Sequence, residues 1–222
     1  MDLTPRIHCI VGPMYSGKST ELLRYLKRYE FAQIPVQVFK PAIDNRYSET
    51  QIVDHTKKHR LTCQALTCAQ DIIEQVHDQT KIVGIDEAMF FDSQIIEVCQ
   101  YLRATGRIIY IAALDTNFRL DPFSFADNKD HIGALLAIAD STQKLKSVCT
   151  TQVNKKACGR DAPYTKRIAD SDQTILVGSY GDYQASCLEH HPFRAKKAAL
   201  YHPKGQKELS LFDAGKHDPS QQ

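Results

Sequence analysis

No apolar run in the sequence approaches the roughly eighteen residues that a bilayer-spanning helix needs. The first residues, Met1-Asp2-Leu3-Thr4-Pro5-Arg6, lack the basic start and long apolar stretch of an export signal. The expectation is a soluble, cytoplasmic protein with no membrane partner. Neither sign of charge predominates: 28 Lys and Arg stand against 26 Asp and Glu, a formal net charge of +2 over 222 residues. That balance excludes a surface built to coat nucleic acid and favours a small ligand. Internal repeats and low-complexity stretches are absent. The seven cysteines are an odd number without an export signal, so a disulfide framework is excluded in favour of reduced thiols or metal ligands.

What is present is an alternation of strands and helices up to about residue 148. The apolar run Ile7–Val11 reads as a strand, and Lys18–Phe31 carries Leu22, Leu23, Tyr25, Leu26 and Tyr29 at helical spacing. Val36–Phe39 reads as a second strand, Cys68–Val76 as helical, Lys81–Ile85 as a buried strand and Ser93–Thr105 as a helix. Arg107–Leu114 is almost wholly apolar, as a central parallel strand covered on both faces must be. The polar stretch Asp44–Arg60 has no clear period and reads as a long loop. This βαβ repetition predicts an α/β fold with a parallel sheet and right-handed crossovers. From Cys149 the composition shifts to Cys, Lys, Gly and Tyr with short strands only. The predicted organisation is an α/β nucleotide-binding domain over 1–148, a small metal-held module over 149–191, and a polar tail over 192–222.

Gly12, Pro13, Met14, Tyr15, Ser16, Gly17, Lys18 and Ser19, followed by Thr20, match G-x-x-x-x-G-K-[ST] between the first strand and the first helix. Gly12 and Gly17 let the backbone bend until several N–H groups face phosphate oxygens, and the following helix adds the positive end of its dipole. Lys18 supplies charge to the β- and γ-phosphates. Ser19 offers a hydroxyl to Mg²⁺, which prefers hard oxygen ligands. Asp86 and Glu87 end an apolar strand at the edge that faces the ligand crevice in open parallel sheets. Asp86 suits the second Mg²⁺ carboxylate. Strand alternation aims Glu87 elsewhere, where it could accept a proton from an acceptor hydroxyl, a contribution of about 10²–10⁴ in rate. Capping of the next helix is the competing account of the pair.

Cys149, Cys158, Cys187 and His190 form a possible tetrahedral Zn²⁺ set, with two-residue spacing between Cys187 and His190. Eight residues separate Cys149 from Cys158, against the usual two to four. Lengthening that loop from two residues to eight costs about 1.2 kcal/mol of closure entropy, while structural zinc contributes on the order of 10–16 kcal/mol. His191 is an alternative fourth ligand, and separate buried thiols are the competing account. Cys9, Cys63, Cys68 and Cys99 read as inert packing residues.

Taken in order, segments 12–20, 44–48 (Asp-Asn-Arg-Tyr-Ser), His55, 86–91 (Asp-Glu-Ala-Met-Phe-Phe), 112–119, 158–167 and 178–190 resemble the motifs of the zinc-containing, type II thymidine kinase family. The resemblance implies a RecA-like P-loop NTPase sheet with a small C-terminal zinc and lasso domain, and a homotetramer. It also implies transfer of the ATP γ-phosphoryl group to the 5′-hydroxyl of thymidine or deoxyuridine, with dTTP as inhibitor. By correspondence, Glu87 is the catalytic base. Lys18, Ser19 and Asp86 serve phosphate and Mg²⁺, and Asp44 and Arg46 reach the phosphates. Met14, Phe91, Leu114, Phe118, Thr165 and Tyr183 line the nucleoside pocket, where a flat pyrimidine wants apolar and aromatic walls.

Three features depart from the family pattern. Met89 stands where the family more often has Gln, the loop between Cys149 and Cys158 is expanded, and Ser179-Tyr180 replaces a Gly-containing turn. In the tail, Glu208-Leu209-Ser210-Leu211-Phe212 resembles the short peptide that docks on bacterial sliding clamps, with a terminal element packed on its own core as the competing account. A zinc-containing P-loop ATPase that binds nucleic acid is the rival function; it would need a basic, aromatic-studded face that the charge balance does not supply.

Overall fold

The computed structural model describes residues 2–43, 51–53, 60–169 and 181–200. Asp44, Arg46, His55, Ser179-Tyr180 and the 208–212 peptide therefore lie outside the described residues.

Strand β1 (Arg6–Val11) leads through the phosphate loop into α1 (Lys18–Phe31) and then β2 (Val36–Pro41). Helix α1 stops because Gln33 takes a left-handed φ of 58° and Pro35 follows; the Gln33 and Ile34 N–H groups close the last turn onto Glu30 and Tyr29 carbonyls. The stretch expected to be an unpatterned loop, Asp44–Arg60, contains the short strand β3 (Gln51–Val53), which pairs antiparallel with β4 (Arg60–Thr62) starting at its last residue, and β5 (Gln64–Leu66) follows. Helix α2 covers only Asp71–Gln75, five residues of the predicted Cys68–Val76. Cys68 precedes it in a half-buried bend, so of the four cysteines read as packing residues only Cys9, Cys63 and Cys99 are buried.

Next come β6 (Ile82–Ile85), α3 (Ile95–Ala104), β7 (Ile108–Ala113), α4 (Ile132–Ile138) and β8 (Ser141–Lys144). Strands β5-β2-β6-β7-β1-β8 form one six-stranded sheet in that order, every pair parallel. β7 is central, as its apolar run required. β8 is an edge strand of largely exposed polar residues, and so carries no hydrophobic signal in the sequence.

Period two sorts each inner strand between two cores. Ile7, Cys9, Val11, Phe39, Val83, Ile85, Ile109 and Ile111 face α2, α3 and α4, while Ile10, Val38, Ile82, Ile108 and Tyr110 face Leu22, Leu23 and Leu26 of α1. Gly84 is what lets α1 approach: a Cβ there would lie 2.5 Å from Leu26 Cδ1. Met89 is fully buried in the first core, so this side chain serves packing.

Six short strands follow: β9 (Ser147–Val148), β10 (Gln152–Val153), β11 (Lys156–Ala157), β12 (Asp161–Ala162), β13 (Tyr164–Arg167) and β14 (Tyr183–Ser186). Helix α5 (Arg194–Leu200) occupies the start of the stretch read as a polar tail. Among the described residues, no helix is long and apolar enough to cross a membrane.

Candidate active site and metal centre

The phosphate loop leaves β1 at the carboxyl edge of the sheet. A Cβ on Gly12 would meet the Leu145 carbonyl oxygen at 2.4 Å, so the backbone passes too close to the end of β8 for any side chain. Tyr15 and Gly17 take left-handed φ values of 64° and 84°, a geometry that turns successive N–H groups into one anion-binding concavity. Ser16 Oγ and Lys18 Nζ both donate to the Pro13 carbonyl at 2.8 Å, which folds the loop onto itself. Lys18 is buried at the start of α1.

Two strands away, β6 delivers Asp86 and Glu87. The Asp86 N–H donates to the Phe39 carbonyl at 3.0 Å, continuing the β2–β6 ladder, and Ser19 Oγ donates to Asp86 Oδ1 at 3.2 Å. Thus the two residues read as Mg²⁺ ligands meet in the structure, a hydroxyl and a carboxylate at hydrogen-bond distance. Glu87 departs from the strand-alternation argument: it lies past the end of β6 with φ 50° and ψ 41°, just before a 3₁₀ turn over Ala88–Phe90. Its N–H donates to Asp86 Oδ1 at 3.1 Å. A left-handed glutamate costs about 1–2 kcal/mol, and such conformations cluster where a side chain must be aimed. Glu87 occupies the position before that turn, but its side chain makes no capping hydrogen bond there, so the structure does not support capping as the account of the pair.

Sequence reasoning passed over three charged residues near this edge. Lys40 is 3% exposed at the end of β2, one position past Phe39; the signal was a lysine closing an apolar strand. Buried Asp115, just past β7, pairs with Lys144 of β8 at 2.7 Å. That ion pair spans the end of β1, which lies between the two strands, and only the strand order brings its members together.

Of the pocket residues, Phe91 is fully buried in the core below the sheet edge and Leu114 is 9% exposed at the end of β7. Thr165 Oγ1 accepts the Met14 N–H at 2.9 Å. Phe118, in a turn, lies under the Arg167 guanidinium, whose Nη2 donates to the Tyr183 hydroxyl at 2.7 Å. These contacts bind the small module to the phosphate loop and to the segment after β7.

The four predicted metal ligands converge, their donor atoms all within 4.8 Å of one another. His190 Nδ1 lies 3.6 Å from Cys149 Sγ and 3.4 Å from Cys187 Sγ. With Zn–S near 2.3 Å and Zn–N near 2.0 Å, a tetrahedron has S–N edges of about 3.5 Å, so the donor set fits Zn²⁺. The long Cys149–Cys158 spacing resolves into the β10–β11 hairpin, closed by left-handed Asn154 and Lys155. The hairpin returns the Cys158 N–H to the Thr151 carbonyl at 2.9 Å. Burial opposes ionisation of Cys149, but the Cys187 backbone, the His190 ring and Thr151 outweigh it and hold the thiol below the ordinary range, while burial and the neighbouring Cys149 push Cys187 up. His191 points away: its Nε2 meets the Thr165 carbonyl at 3.2 Å, and burial holds its imidazole below the ordinary histidine range.

Comparison with known proteins supplies the remaining test. A thymidine kinase of Bdellovibrio bacteriovorus is 36% identical over 184 residues, covering 83% of this chain and 84% of that protein. The crystal structure of a Pif1 helicase from Candida albicans overlaps at a TM-score of 0.36 and 16% identity, over 63% of this chain and 36% of that one; at that score it carries no argument for the nucleic-acid reading. The thymidine kinase family model matches residues 5–191, from β1 through the metal ligands. The chain belongs to the thymidine kinase family.

Proposed function

We propose that the protein phosphorylates thymidine at its 5′-hydroxyl with the γ-phosphoryl group of ATP, and deoxyuridine by the same route. The observation that carries this reading is the meeting of Ser19 with Asp86 beside Glu87, above a complete phosphate loop, in a chain whose family match spans both this edge and the metal cluster. Lys18 and the loop N–H groups bind the β- and γ-phosphates, and Ser19 and Asp86 hold Mg²⁺. Bound there, Mg²⁺ neutralises charge on the phosphate oxygens. Glu87 accepts the 5′-hydroxyl proton as the O–P bond forms and the bond to the ADP leaving oxygen breaks. Positioning and charge neutralisation supply the larger share of the acceleration.

Met14, Phe91, Leu114, Phe118, Thr165 and Tyr183 wall the nucleoside, Asp44 and Arg46 reach the phosphates, and the Cys149, Cys158, Cys187 and His190 set holds structural zinc. This reading keeps the division into a nucleotide domain (1–148), a zinc and lasso domain (149–191) and a tail, a cytoplasmic homotetramer, and inhibition by dTTP. The test is incubation of purified protein with Mg-ATP and a panel of nucleosides. Formation of dTMP and dUMP without purine monophosphates is expected; ATP hydrolysis stimulated by DNA, with no nucleoside product, would establish the rival.

A further inference from the structure

We infer that Arg167 is a positioning residue for the nucleoside pocket, fixing the Phe118 and Tyr183 rings relative to the phosphate loop. The inference rests on the assignment of those two rings to the nucleoside wall.

In the β13–β14 pairing, Thr165 lies opposite Ala185 and Arg167 opposite Tyr183. Period two puts Thr165 and Arg167 on one face and Lys166 on the other. The contacts agree with that division: Thr165 Oγ1 takes the Met14 N–H of the phosphate loop, whereas Lys166 Nζ donates to Thr151 Oγ1 in the metal knuckle. The face carrying Arg167 is therefore the one turned to the nucleotide domain. There its guanidinium carbon sits 3.9 Å from the Phe118 ring centroid and 5.2 Å from that of Tyr183, while Nη2 donates to the Tyr183 hydroxyl at 2.7 Å.

Phe118 belongs to no helix or strand, so its ring position is set by neighbours. Besides Arg167 these include Phe193, whose ring meets it edge-on at 6.0 Å and 80°. A planar cation can stack flat on one ring while donating in its own plane to the hydroxyl of another; an ammonium group is a compact, strongly hydrated point charge without that plane and does not reproduce the stacked geometry. Arg167 thus ties a turn of the nucleotide domain to a strand of the metal module, through the two residues that would enclose the base. It touches no reacting atom, so its loss should appear in nucleoside binding.

The experiment compares the full-length wild type with Arg167→Met, Arg167→Lys and Tyr183→Phe, measuring thymidine KM, ATP KM, kcat and melting temperature. Arg167→Met is expected to raise thymidine KM about 10- to 100-fold, the scale of a stacked cation plus a charged hydrogen bond. ATP KM and kcat should stay within about threefold, because distant sites without shared partners couple weakly. Arg167→Lys should resemble Arg167→Met, and Tyr183→Phe should show a smaller rise of the same kind. Unchanged thymidine KM in Arg167→Met overturns the inference, as does full rescue by lysine, or an equal fall in every parameter, which marks a mere structural brace. If Arg167→Met does not fold, Tyr183→Phe decides: a KM equal to wild type rejects the tie. A wild type that phosphorylates no nucleoside overturns the functional reading and this inference together.

Discussion

Thr165 Oγ1 and the Met14 N–H are joined by a 2.9 Å hydrogen bond between residues 151 positions apart in the chain. Thr165 is 3% exposed, and its own carbonyl is held by His191 Nε2, next to the candidate metal ligand His190. The phosphate loop and the metal knuckle are thus two bonds apart through one threonine.

Replacing Thr165 with Val keeps the shape of the side chain and removes the acceptor. A part-buried N–H left without its partner costs about 1–3 kcal/mol, so Thr165→Val should weaken use of both ATP and thymidine and lower the melting temperature. Thr165→Ser should retain most of both. Steady-state kinetics with a thermal melt checks the pair; equal behaviour of Val and Ser would remove the bond from the account.

Glu87→Gln preserves size and removes the proton acceptor. A fall in kcat of about 10²–10⁴ with little change in thymidine KM is expected, since the group acts in the transition state. Near-normal turnover excludes Glu87 as the base.

The metal knuckle should govern nucleoside affinity although it touches no reacting atom. Elemental analysis is expected to find one zinc per chain, on the strength of a single Cys₃His cluster among the described residues. A strong chelator, or Cys187→Ser, should raise thymidine KM steeply while ATP binding suffers less, because β13 and β14 lose the anchor at their far ends. Metal-free protein with full thymidine affinity contradicts the assignment.

Stability should also fall with acid through His8. Burial holds its imidazole below the ordinary histidine value, and Arg6 pushes the same way, against weaker opposing contributions from Gln143 and Glu21. The ring packs against Tyr25 and Tyr110 while Nδ1 meets Ser141 Oγ at 2.7 Å. Below about pH 6.5 the unfolded chain binds the proton more readily than the native one. The stability contribution is therefore complete above that pH and is lost as pH falls toward the native value. Urea midpoints between pH 7.5 and 5 should decline less steeply in His8→Gln than in wild type.

Much of this was legible in the residues themselves. Lys18–Phe31 is helical over its predicted span, and the glycine, lysine and serine spacing of the phosphate loop needs no tertiary information, since backbone geometry and donor chemistry are local. Other features left a weak trace or none. Strand β8 is polar because it lies at an edge, and β3 lies inside a stretch without period, pairing with β4 at that stretch's end. The direction of Glu87 follows from a left-handed backbone rather than from strand alternation.

The sequence by itself determined the α/β alternation, the phosphate loop, the Asp86-Glu87 pair and the four candidate metal donors, because each is a matter of local period, spacing or side-chain chemistry. Only the tertiary structure decided which groups meet. It chose His190 over His191, turned the long Cys149–Cys158 spacing into a hairpin, joined Asp115 to Lys144 across the end of β1, and set Arg167 between Phe118 and Tyr183. The Asp115–Lys144 pair and the Arg167–Phe118 contact join elements far apart in the chain, brought together by strand order and by the docking of the small module, and no local pattern encodes a distance across the fold.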